Sequence, residues 1–256
     1  MYFPYLRGKR FELLTLRESS DTIRSVGKII PILEPVQSGV TELLKVAELY
    51  VNHSMPLVLV VNPDVGHLKA KHTDLLKALA ENKKVMAAVT AGFLITSGTT
   101  ISEVERFLTQ FGSSPVAFIH WYNFSNPTAL LSAMASSSNI AYQVFIESET
   151  GSNYRDSFSN YQRIIVRDGF RKRHRNIDYP DEEFFSEIHR THPTLGFQGF
   201  GDFTIVGKDH SEKGGPTMPS RFTSRIADKM AIFGLDIFCP TKSQVPKTRL
   251  ESSSKP

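Results

Sequence analysis

Short apolar runs recur along this chain at intervals of about thirty residues, the length of a strand–helix unit. They are Tyr2–Leu6, Ile29–Leu33, Leu57–Val61, Val85–Val89, Val116–Ile119, Tyr142–Ile146, Ile164–Val166 and Phe203–Val206. Most are followed by a helix-like stretch, and runs such as Leu57–Val61 are apolar without alternation, as strands covered on both faces are. Nearly every run ends beside a polar or charged residue. Arg7 and Lys9, Glu34, Asn62 and Asp64, His120 and Trp121, Glu147, and Arg167 with Asp168 mark successive exits, while Asp202 stands just before the last run.

Eight such units fit a TIM-barrel-like (β/α)8 fold, whose strand exits converge on one face that carries the site. The 256 residues are close to the roughly 250 of one such barrel. An open doubly wound sheet uses the same elements, but no glycine-rich nucleotide loop follows the first run. The expected organisation is a barrel over residues 1–215 and an atypical, partly irregular C-terminal segment over 216–256.

Helical spacing places helices at Phe11–Glu18, Thr41–Val51, Thr73–Leu79, Ser102–Phe111, Thr128–Ala135 and Asp181–His189. Ser102 with Glu105 reads as a capping box. Thr90–Phe93 and Gly199–Gly201 read as glycine-bearing turns at the mouth, where amides can meet an anion, although tight turns need glycine in any case.

Several chemistries are excluded. The chain has no Walker loop, dinucleotide fingerprint, Gly-x-Ser-x-Gly elbow or His-Glu-x-x-His pair. Its lone Cys239 rules out an intrachain disulfide and a cysteine-rich metal site. His189 and His192 share a helical spacing, but Pro193 follows and no third zinc ligand is adjacent. No run approaches the roughly 20 apolar residues needed to cross a bilayer, and the first residues lack the pattern of a secretory signal. The expected compartment is the cytoplasm, without membrane association.

A net charge of +4 does not by itself indicate nucleic acid. Its distribution says more: Arg163, Arg167, Arg171, Lys172, Arg173 and Arg175 crowd the seventh unit. Such a run is either a solvated basic loop or a phosphate contact, and barrels often bind phosphate after strands seven and eight.

The carboxylates Glu34, Asp64, Glu147, Asp168 and Asp202 come from five units and are expected to meet at the mouth. Carboxylates so gathered must pair with cations, share protons or bind a metal. In one reading, salt bridges with Arg7, Lys9 and Arg167 tie strand ends together. In the other, Glu34, Asp64, Asp168 and Asp202 act as catalytic groups. Arg7, Lys9, His120, Glu147, Arg167, Arg171 and Arg173 then contact the ligand. A metal held by Glu34, Asp64 and Asp202 would be Mg²⁺ or Mn²⁺, since the donors are all oxygen.

The opening Met1–Lys9, Ile29–Val36 (Ile-Ile-Pro-Ile-Leu-Glu-Pro-Val), Val166–Phe170, Gly199–Phe203 and Glu212–Pro216 resemble the Beta-protein family of bacteria and satellite phages. The likeness runs over about the first 216 residues and is most distinctive at the opening and in the Gly-Asp-Phe region. It implies a role in anti-phage defence beside a protein partner encoded nearby, and supplies no reaction. After Pro216 the chain departs from the family pattern, with prolines at 216, 219, 240, 246 and 256. A frameshift or altered C-terminus accounts for that change, with a lineage-specific tail as the alternative.

Two functions follow as expectations. The first is a defence component whose barrel mouth binds a phosphate-bearing ligand, such as a nucleotide or nucleic acid, or a partner protein. The alternative is a metal-dependent phosphodiesterase or nuclease using the mouth carboxylates. For the latter, the nearest acid–base histidines, His120 and His174, lie in different units with no motif around them.

Overall fold

The computed structural model describes residues 1–170, 184–204 and 207–209. Met1–Gly215 forms one compact unit, and residues 216–256 lie outside those described. In that unit, β1 (Tyr2–Leu6), β2 (Ile32–Leu33), β3 (Val58–Val60), β4 (Thr90–Ile95), β5 (Val116–His120), β6 (Ile140–Ile146), β7 (Arg163–Arg167) and β8 (Gly199–Phe203) close into a barrel. Every neighbouring pair is parallel, and β8 returns to β1 with Phe3 opposite Gly201. The helices described are α1 (Arg10–Glu18), α2 (Ser20–Val26), α3 (Thr41–Asn52), α4 (Leu68–Glu81), α5 (Lys83–Ala88), α6 (Ile101–Gln110), α7 (Pro127–Ala135), α8 (Ser152–Asp156) and α9 (Ile188–Thr191). None of them is long and apolar enough to cross a membrane.

Alternate residues of each strand fill the barrel: Phe3 and Tyr5, Ile30 and Ile32, Val58 and Val60, Leu94, Ala117 and Ile119, Val144 and Ile146, Ile164 and Val166, and Phe203. Burying each of the larger side chains contributes about 1.5–3 kcal/mol. The seam between β1 and β8 depends on two glycines. A Cβ on Gly201 would lie 2.1 Å from the Phe3 carbonyl oxygen, and one on Gly199 would meet the Phe3 ring at 2.8 Å. Phe3 thus occupies space that side chains at 199 and 201 would need.

Two expected strands are displaced. Val85–Val89 belongs mainly to helix α5, started by the Asn82 side chain, which accepts from the Val85 amide at 3.2 Å. An apolar run of five satisfies a short buried helix as well as a strand, and the strand of this unit is the following Thr90–Ile95. Thr90–Phe93 is therefore wall rather than turn. Likewise, Gly199–Gly201 opens β8, which ends at Phe203 instead of beginning there. In the second strand–helix repeat Pro31 has no amide to donate, so β2 is short and Ile29 joins β1 through an isolated bridge to Tyr2.

The helix starts also differ from expectation. The capping box of α6 is Thr100 with Glu103, two residues before the expected pair. Residues 184–187 are not helical, and α9 begins at Ile188, while 181–183 fall outside the described residues.

Candidate functional site at the barrel mouth

Arg7 and Glu34 each stand one residue beyond a strand, two positions after the inward-facing Tyr5 and Ile32. Strand alternation therefore carries both side chains over the barrel axis. Glu34 is 1% exposed and Arg7 3%. Glu34 Oε2 accepts from the Arg7 guanidinium and from the Tyr5 hydroxyl at 2.6 Å, while Oε1 accepts from the Asp64 amide at 3.2 Å. The Arg7 guanidinium lies 5.3 Å from the Tyr5 ring, 5.2 Å from Trp121 and 5.8 Å from Phe203, and also donates to the Lys208 carbonyl. Trp121 Nε1 donates to the Tyr5 oxygen at 3.3 Å. Burial pushes the Tyr5 phenol well up, and the Glu34 carboxylate adds to that. The centre of the mouth is thus an ion pair set among aromatic rings, and Arg7 Nε has no hydrogen-bond partner among the described residues.

The backbone turns away from this pair through Gly8, whose φ of +62° is left-handed. It then enters α1, where buried Glu12 accepts from the amides of Arg7 at 3.0 Å and Lys9 at 2.8 Å. Burial raises the Glu12 pKa. Lys9 is half-buried at the helix start.

Further out, Glu147 and Arg167 form a two-pronged pair, with Nη2 donating to Oε1 at 2.6 Å. That hydrogen bond is the main reason the Arg167 pKa is raised. Asp168 accepts from the amides of Phe170 and Lys208, both at 2.9 Å. Lys208 also pairs with Glu149, a contact that raises the lysine and lowers the carboxyl. Lys208, five residues after the end of β8, therefore reaches the β1 exit through its carbonyl, the β7 exit through its amide and the β6 exit through its side chain. Asp64 is exposed and pairs with Lys69 at 2.8 Å.

Glu34, Asp64, Glu147 and Asp168 accordingly share one end of the barrel, and each has a cation or backbone amide as partner. Asp202 and His120 do not join them. Since Phe203 faces the interior, Asp202 lies on the outer face of β8, buried and accepting from the Tyr2 hydroxyl at 3.0 Å. His120 is on the outer face of β5, fully buried, 4.5 Å from the Phe145 ring in a stacked arrangement. Its Nδ1 lies 2.8 Å from the Tyr154 hydroxyl and its Nε2 2.8 Å from Gln143 Oε1. Burial lowers its pKa to about 4, against the Gln143 bond. It is a core histidine, not a group at the mouth.

Glu34, Asp64 and Asp202 do not assemble as a metal-holding trio, and no group of three or more His, Cys, Asp or Glu among the described residues does. His192 packs against Phe200, 5.0 Å between ring centres, with His189 nearby at 6.3 Å. Arg171 and Arg173 lie outside the described residues.

Sequence reasoning passed over Tyr5, Lys208 and the role of Asn62. The Asn62 side chain accepts from the Leu94 amide at 2.7 Å and donates to the Leu94 carbonyl at 3.0 Å, extending the β3–β4 ladder beyond the strand. Tyr5 was legible as the position two before Arg7. Nothing local marked Lys208. Comparison with family models, with curated proteins and with solved structures finds no match to this chain.

Proposed function

We propose that this chain is a binding component whose barrel mouth takes a phosphate-bearing ligand or a partner protein, in the anti-phage role that the resemblance to the Beta-protein family implies. The observation that supports binding over hydrolysis is the state of the mouth carboxylates. Glu34 is engaged by Arg7, Tyr5 and the Asp64 amide, Glu147 by Arg167, Asp168 by two amides and Asp64 by Lys69. A carboxylate acting as base or metal ligand needs an open lone pair toward the reacting atoms. Glu34, Glu147 and Asp168 are instead engaged in holding loops together, and Asp64 stands in an ion pair.

The phosphate preference rests on sequence position. Arg171, Lys172, Arg173 and Arg175 begin directly after Phe170, at the β7 exit, and guanidinium groups match phosphate oxygens with paired donors. The test is a comparison of retention with turnover. Purified full-length chain, with and without Mg²⁺ or Mn²⁺, is incubated with single-stranded DNA, RNA and a nucleotide. Retention without cleavage is the expected result. Divalent-dependent cleavage that is lost in Asp64→Asn, a change at an exposed mouth carboxylate that leaves the barrel core untouched, would establish the hydrolase reading instead.

A further inference from the structure

The donors of Arg7 are used unequally. Nη1 donates to Glu34, whose own two oxygens are both engaged, one by Arg7 and Tyr5 and the other by the Asp64 amide. The edge formed by Nε and Nη2 is left with a single acceptor. Nη2 donates to the Lys208 carbonyl, and Nε has no partner among the described residues. Arg7 is almost fully buried, so Nε is a desolvated donor without the hydrogen bond that buried polar groups require. A paired edge of a guanidinium matches two oxygens of one oxyanion.

What covers that edge is a single turn of chain. Gly207 has a left-handed φ of +72°, and a Cβ there would lie 3.0 Å from Asp168 Oδ2 and 3.2 Å from Oδ1. The glycine lets Lys208 settle with its amide on Asp168 at 2.9 Å, its carbonyl on Arg7, and its ammonium on Glu149 and on the Ser148 hydroxyl at 3.2 Å. The Lys208–Glu149 pair lies close to solvent, 31% and 21% exposed, where an ion pair holds weakly. The carbonyl it delivers to Arg7 is one neutral acceptor. A phosphate offers two charged oxygens to the same edge, and charge-assisted hydrogen bonds are roughly twice as strong.

We infer that the Nε–Nη2 edge of Arg7 is the subsite at which the mouth takes a phosphoryl group, with the Gly207–Lys208 turn as a latch whose carbonyl stands in the place of one phosphate oxygen. This assignment rests on the reading of the mouth as a phosphate-binding site. Binding displaces the Lys208 carbonyl and gives Nε the acceptor it lacks. Glu34 is then a positioning residue, since by holding Nη1 it fixes the guanidinium with its other edge toward the latch.

The test is an NMR titration of isotope-labelled full-length protein with inorganic phosphate, read at the Arg7 Nε–H and at the Trp121 indole N–H, whose ring lies 5.2 Å from the guanidinium. Two variants loosen the latch. Gly207→Val places a β-branched residue at a left-handed φ without changing charge, and phosphate should bind about tenfold tighter. Lys208→Ala removes the tie to Glu149 and should tighten phosphate about twofold to fivefold. Its sign is decisive, because loss of a cation alone weakens anion binding, and it settles the matter where Gly207→Val does not fold. Arg7→Lys in the Lys208→Ala background keeps the charge but not the fork, and should abolish the gain. Phosphate affinity unchanged or weaker in either folded latch variant, no saturable shift of the Arg7 Nε–H, or a gain that survives Arg7→Lys would each overturn the assignment. The same chains are offered a single-stranded oligonucleotide. Retention by the native chain, with no gain for phosphate in the latch variants, sinks the latch and leaves the mouth reading standing. A gain for phosphate without oligonucleotide retention supports the subsite and assigns it to free phosphate rather than nucleic acid.

Discussion

Arg7 and Glu34 show what a buried charge at a strand exit demands. With both side chains almost fully buried, removing one partner strands the other in a low-dielectric site. Glu34→Gln preserves the shape but leaves Arg7 without its counter-charge. We expect a loss of about 3–5 kcal/mol in urea unfolding, where an unchanged midpoint would remove Glu34 from its structural role. His120 makes a separate prediction through pH. Its folded pKa of about 4 lies below the ordinary 6.5, so between those values the unfolded chain binds the extra proton. The His120 contribution is then fully present above about pH 6.5 and lost as pH falls toward 4, at most about 3 kcal/mol. The measurement is the difference in unfolding free energy between the native chain and His120→Gln across that window. A difference that does not vary with pH would contradict a neutral, buried imidazole.

At the scale of elements, most strands could be read directly because apolar run and strand coincide, as at Tyr2–Leu6. The failures have physical causes. Val85–Val89 is short enough for either period, and the Asn82 cap three residues before Val85 decided for helix. In β8, the glycines looked like a turn because a strand interior normally avoids them. Their reason is tertiary, the approach of Phe3 across the seam, and no local pattern contains it. The same misplacement left Asp202 at the mouth in the sequence reading, since a strand shifted along the chain changes which residues face inward. His120 was misassigned more simply: an exit residue in a strand has even odds of facing the helices. Gly201→Ala tests the seam. With a Cβ 2.1 Å from the Phe3 oxygen, the variant should lose about 3 kcal/mol or more, or fail to accumulate as folded protein. Gly39→Ala, where a Cβ meets nothing within 4 Å, should cost little. Equal thermal midpoints for the two variants would contradict the close approach of β1 and β8.

Over the whole molecule, the barrel sets polar residues from different units at one end, and the links among Arg7, Glu34, Asp64, Asp168 and Lys208 draw β1, β2, β7 and the segments after β3 and β8 together. That end was legible in the sequence as a place; its chemistry was not, because pairing depends on side-chain partners that spacing does not specify. In the function proposed above, phosphate binds at the mouth through the basic segment after β7. Trp121 is the only tryptophan of the chain and packs beside Arg7, so its fluorescence reports on the mouth. The decisive measurement is a titration of full-length protein with a single-stranded oligonucleotide at low and moderate salt, beside Arg171→Ala/Arg173→Ala. The account predicts a saturable change whose affinity falls with salt through counterion release, with a logarithmic slope of about 0.7 per phosphate contacted. In the double variant that slope should drop by about one to two. An affinity unchanged between the two salt concentrations, or a slope equal in the variant, would contradict it.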